Sequence, residues 1–208
     1  MFTVTFVLWA GCGRNDVGPT PDTLAPLDDN RASPPTSDGE PYPEVLSVVS
    51  GGDGGLWWAH ALGYIHASSG DVWAAARDPD VGVDRREVDE WTVTSTSDGF
   101  DESYVVHNTV HDVITVNYDL RWLHELQEGT EAEPERVVIV WEKTEGTGFI
   151  DVLEGSLVIR PVADGVTEVG FVEHLDATLR DDQTLVSFLQ DFHASLVAAA
   201  NGRALPVY

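Results

Sequence analysis

The chain has 208 residues, with 36 Asp and Glu against 11 Lys and Arg and a formal net charge of −25. That balance speaks against nucleic-acid binding, since neutralising phosphates takes basic side chains, and against charge-driven docking on anionic lipid. A lone cysteine, Cys12, rules out an intrachain disulfide, so stability must come from a hydrophobic core.

Met1 to Gly11 form the first apolar run and end at Cys12. The run is too short for a transmembrane span, which needs about 20 apolar residues, and it reads as a signal peptide over 1–11. The stretch Leu8-Trp9-Ala10-Gly11-Cys12 resembles the lipobox of bacterial lipoproteins, with Trp9 where Leu is usual. The resemblance implies a lipid anchor on Cys12 and a cell-envelope location, and Gly13 after the cysteine points to the outer membrane. No Lys or Arg precedes the run, so the reading frame is expected to open upstream. The alternative is a buried strand, Thr3 to Trp9, with a free thiol at its end. Residues 12–54, dominated by Pro, Asp, Gly, Ser and Thr apart from Val45 to Val49, read as a disordered tether. Its mean reach would be on the order of 35 Å. The folded domain is then expected over 55–208.

That domain opens with an aromatic-rich strand over Leu56 to Ser68, and Ser69 to Arg77 follows as a short helix stopped by Asp78-Pro79. From Glu90 the pattern alternates. Tyr104, Val106, Val110, Ile114, Val116, Tyr118, Leu120 and Trp122 all fall at even positions. A strand of about 19 residues at roughly 3.3 Å each would exceed 60 Å, so a turn or bulge is expected near Asn108 to Asp112. Further strands are predicted over Arg136 to Lys143, Phe149 to Arg160 and Val166 to Ala177. In the last segment Leu185, Phe188, Leu189, Phe192, Leu196, Val197 and Ala200 recur at helical spacing, with Asp181 and Asp182 at the start and Asn201-Gly202 at the end.

These elements predict an α+β fold in which a curved antiparallel β-sheet wraps around a long C-terminal helix. Gly63-Tyr64-Ile65-His66-Ala67-Ser68-Ser69-Gly70-Asp71-Val72-Trp73 resembles the opening of START-like helix-grip domains, the SRPBCC or Bet v 1-like superfamily that includes polyketide cyclases. Gly165-Val166-Thr167-Glu168-Val169 is similar to the late strand of that family, and the closing helix with Leu205-Pro206 fits its end. The resemblance spans residues 56 to 206 and implies a seven-stranded sheet with a cavity under the helix for an apolar small molecule such as a lipid, quinone or polyketide.

The apolar stripes name the candidate lining: Tyr104, Tyr118, Trp122, Trp141, Phe149 and Phe171 from strands, Phe188 and Phe192 from the helix. Glu173 shares parity with Val169, Phe171 and Leu175, which aims its carboxyl inward unless a bulge turns it out. No catalytic residue, metal site or cofactor is expected. His107 with His111, and His60 with His66, lack further ligands at metal spacing, and Ser187, Asp191, His193 and Ser195 crowd one helix without a nucleophile elbow. No phosphate-binding loop is present. Three functions remain open. The first is a membrane-tethered module that binds or carries a hydrophobic molecule. The second is a polyketide cyclase or dehydratase using Tyr104, Tyr118, Glu173 or His174. The third is a structural lipoprotein with a filled cavity and Trp57 and Trp58 on a partner surface.

Overall fold

The computed structural model describes residues 21–111 and 114–208, so Cys12 and the expected signal peptide lie outside the described residues. The elements run β1 (Leu46–Asp53), β2 (Leu56–Ile65), α1 (Ser69–Ala76), α2 (Pro79–Gly82), β3 (Glu90–Ser95), β4 (Glu102–His111), β5 (Thr115–Gly129), β6 (Pro134–Gly146), β7 (Ile150–Ala163), β8 (Val166–Ala177) and α3 (Asp182–Ala200). The strands form one sheet in the order β1-β2-β8-β7-β6-β5-β4-β3, with every pairing antiparallel. Only β2 and β8 are neighbours without being consecutive. The start and end of the sheet-forming chain therefore meet side by side, and α1 and α2 carry the crossover to β3.

Local chemistry explains the boundaries. Ser68 caps α1 by accepting from the Asp71 backbone N–H at 3.1 Å. Asp78 then caps α2 in the same way, with Pro79 at its first turn. Asp78-Pro79 thus ends one helix, as expected, and also starts another. In α3, Asp181 caps the first turn, while Gly202 takes the left-handed conformation just beyond the last. The even-numbered stripe folds back on itself: Tyr104 faces Trp122, Val106 faces Leu120 and Asn108 faces Tyr118 across β4 and β5. The ladder runs through Val110 opposite Val116 to His111 opposite Thr115, so the pairing reaches the far end of the expected window.

The sheet curves around α3. Leu185, Phe188, Leu189, Phe192 and Leu196 are buried against its inner face. Phe192 is central: its ring lies 5.3 Å from Phe171 and 6.0 Å from both Trp122 and Trp141, centroid to centroid. Each such side chain contributes roughly 1.5–3 kcal/mol on full burial.

The tether expected over 12–54 does not hold for its described part. Residues 46–53 form β1, which pairs along its whole length with β2 and makes the sheet eight-stranded rather than seven-stranded. Ahead of it, residues 24–31 cross the outer face as a strap. Leu24, 2% exposed, sits in a small cluster with Leu123 and Val138. The Leu27 N–H donates to Ser156 Oγ at 2.9 Å, and Asn30 Nδ2 donates to the Ala61 carbonyl at 2.8 Å. Composition missed this because the segment needs little apolar surface of its own. The edge of β2 supplies backbone partners, and the outer face supplies a landing site.

Candidate functional site

A cavity of about 490 Å³ opens between the first half of α3, the α2–β3 connection and the inner faces of β4 to β8. Leu189 and Phe192 of α3 pack in the core without bordering the space, whereas Thr184, Leu185 and Phe188 line it. The walls are mainly apolar, with Val106, Leu120, Trp122, Trp141, Leu153 and Leu175 among them. A concave apolar space with a few polar groups is the usual form of a small-molecule site.

Six of the expected lining residues meet there: Tyr118, Trp122, Trp141, Phe149, Glu173 and Phe188. Phe149 lies before β7 rather than in it and is 42% exposed at the rim. Tyr104 and Phe171 from the sheet and Phe192 from α3 belong to the same core but do not line the space. Phe171 and Phe192 fill the contact between helix and sheet, and Tyr104 stacks on Trp122 at 6.2 Å on the side away from the cavity. Alternation reports which face a residue occupies, not whether anything packs on it.

Glu173 is the polar centre of the apolar wall, at 2% exposure. Trp141 Nε1 donates to its Oε1 at 3.4 Å, while Oε2 has no partner. Burial drives its pKa well above the usual carboxylate range, and the Trp141 bond only partly opposes that. The register shows how the two meet: Trp141 on β6, Gly155 on β7 and Glu173 on β8 stand in one cross-strand row. The indole lies over Gly155, where a Cβ would collide with it. A glycine inside a strand signals such a close approach, which alternation alone does not reveal.

Further acids stand at the α2–β3 side. Burial raises the Asp84 pKa to about 6, against the pull of the Arg86 and Glu87 backbone N–H groups. Arg180 and Glu87 form an ion pair, and both line the cavity. Tyr118 also titrates above its ordinary range, first through burial and then through nearby acids, Asp84 foremost. Three lining residues leave apolar surface in solvent: Ile114 at 47%, Phe149 at 42% and Leu179 at 97%. They mark the mouth.

The other singled-out residues lie elsewhere. His174 is on the outer face, with Nδ1 3.4 Å from Glu154, and takes no part in the cavity. His107 pairs with Asp119, and His111 with Glu90. Ser195 donates to the Asp191 carbonyl and accepts from Arg85, and His193 Nε2 lies 3.2 Å from the Tyr64 carbonyl, so neither forms a nucleophile and base pair. Trp57 and Trp58 are half-buried: Trp57 packs on the core, and Trp58 lies edge-on to His60 under Arg31. Asp28, His60 and His174 bring donor atoms within 4.8 Å of one another. Asp28 pairs with Arg31, the Arg31 N–H donates to His60 Nδ1 at 3.2 Å, and His174 Nδ1 faces Glu154, while His60 Nε2 is buried without a partner. The group ties the strap to the sheet.

No protein-family model matches the chain, and no curated protein sequence matches it. Solved structures do. The human StarD13 (DLC2) lipid transfer and protein localization domain superposes with a TM-score of 0.53 at 12% identity, over 77% of this chain and 85% of that one. Human StAR-related lipid transfer protein 5 gives 0.51 at 12% identity over 77% and 82%, and a STAR-related lipid transfer protein from Xanthomonas axonopodis gives 0.50 at 12% over 77% and 93%. The chain therefore has the START-like helix-grip fold expected from its element order.

Proposed function

We propose that this helix-grip domain binds and carries a hydrophobic small molecule in the cavity beneath α3. The observation that carries the reading is a space of about 490 Å³ walled by Leu120, Trp122, Trp141, Leu153 and Leu175. A structural protein with a filled interior would leave no such volume, since interiors pack to crystal-like density. That the similar solved structures are named as lipid transfer domains supports the same reading.

The site favours binding over chemistry. Of the acid and base groups considered for a cyclase, His174 faces outward and Tyr104 is packed away. Tyr118 and Glu173 remain, and burial keeps both in their protonated forms across a wide pH range. Both are therefore suited to donate hydrogen bonds to a bound guest.

We propose also that Cys12 carries a lipid anchor holding the domain at the surface of the cell envelope. Leu8 to Cys12 supports this through its resemblance to a lipobox. Because Leu24 is already packed on the sheet, about twelve residues separate it from Cys12. Such a link spans at most roughly 40 Å when extended. The domain would sit close to its membrane.

Organic extraction of protein purified from the native membrane fraction, followed by mass spectrometry, tests both parts. A co-purifying apolar molecule and an acylated N-terminal cysteine peptide are expected. An empty extract contradicts carriage, and an unmodified Cys12 in the mature chain contradicts the anchor.

A further inference from the structure

We propose that Glu173 is a hydrogen-bond donor that selects an uncharged ligand bearing a carbonyl or hydroxyl oxygen at its buried end. The inference rests on the cavity being a ligand site, as read above, and adds the chemical class it takes. Glu173 is a lining residue of the cavity, with one oxygen held by Trp141 Nε1 and the other, Oε2, buried and without a partner. A buried polar atom without a partner is costly, and an apolar guest would leave it so. A ligand oxygen placed against it would satisfy it. Burial holds the carboxyl protonated well above the usual carboxylate range, so it has a proton to donate.

The charges around the cavity narrow the class further. Among the described lining residues the one cation is Arg180, which is paired with Glu87, and the other charged group is the acid Asp84. No free cation awaits a carboxylate or phosphate, and Asp84 and Glu87 would repel one. Asn108, also on the wall, spends its amide N–H groups on the Val106 and Tyr118 carbonyls, which hold the amide in place. The inner end therefore suits a ketone, quinone or alcohol on an apolar body, and not a fatty acid anion.

The experiment is displacement of bound Nile Red by dodecane, 2-dodecanone and dodecanoate at pH 8, with wild type and Glu173→Leu. The ratio of 2-dodecanone to dodecane affinity is compared between the proteins, which cancels the difference in hydration of the two competitors. That ratio is expected to fall about threefold to tenfold in Glu173→Leu, the worth of one hydrogen bond. Dodecanoate is expected to compete more weakly than the ketone. An unchanged ratio, or dodecanoate competing as well as 2-dodecanone, overturns the inference while leaving the cavity reading intact. No displacement by any competitor overturns the cavity reading itself and the inference with it. If Glu173→Leu does not fold, infrared difference spectra of wild type and Glu173→Gln decide. A protonated carboxyl band lost in Glu173→Gln should shift on adding 2-dodecanone and not dodecane, and a band that is absent or unmoved overturns the inference.

Discussion

Trp141 reaches Glu173 across Gly155, the residue that faces both of them in the β6–β7 and β7–β8 ladders. The indole occupies the room a Cβ would take, so the polar centre of the cavity depends on a missing side chain one strand away. Gly155→Ala is therefore expected to push Trp141 off Glu173 and to destabilise the fold by about 1–3 kcal/mol, as overpacking does. Urea unfolding should show a lower midpoint with an unchanged slope.

Glu173 also makes a pH prediction. Its folded pKa is raised, so the native state holds a proton that the unfolded chain releases above about pH 4.5. The sign follows from linkage: its contribution is fully present below that point and is lost as pH rises towards the folded pKa. Wild-type stability should decline on the alkaline side relative to Glu173→Gln. Asp84, raised to about 6, adds a loss of the same sign at lower pH in both proteins. Unfolding midpoints measured at pH 5, 7 and 9 for the two proteins give the comparison, and parallel profiles would count against a buried neutral acid.

His124 acts in the opposite direction. It is fully buried with neither ring nitrogen partnered, and burial lowers its pKa to about 3. Below about pH 6.5 the unfolded chain takes up a proton that the native ring refuses, so stability falls on acidification at up to about 1.4 kcal/mol per pH unit. His124→Phe should flatten that part of the profile between pH 6 and 4. A slope equal to wild type would contradict it.

The N-terminal strap should contribute to stability. Leu24→Ala removes a buried side chain from the cluster with Leu123 and Val138, and a loss of about 2–4 kcal/mol is expected. A free tether would give no change. Urea denaturation of the full chain distinguishes the two.

Much of the architecture could be read from periodicity alone. The stripe from Tyr104 to Trp122 and the spacing of Leu185 to Ala200 are properties of the chain itself, and both became the elements expected. What escaped depends on partners. Ser47, Gly51 and Gly52 carry no strand signal, yet β1 forms because β2 offers it an edge. Phe171 and Tyr118 share one face of the sheet, and only the rest of the fold decides that the first fills space while the second borders a void. Asp84 and Glu87 reach the cavity from a connection with no period to read. Glu173 was legible through parity, but its reach to Trp141 was not, because it runs through Gly155 on a different strand.

The central claim, an open apolar cavity that takes a guest, is tested most directly by titrating Nile Red into wild-type protein and into Leu120→Trp. Leu120 lines the cavity and is only half-buried, so an indole there would occupy the guest's space. Wild type should bind the dye with a blue-shifted, saturable emission, and Leu120→Trp should lose at least about tenfold in affinity while unfolding at a similar urea concentration, as a cavity-filling change would. Equal binding by both proteins, or no saturable binding by wild type, would contradict the account.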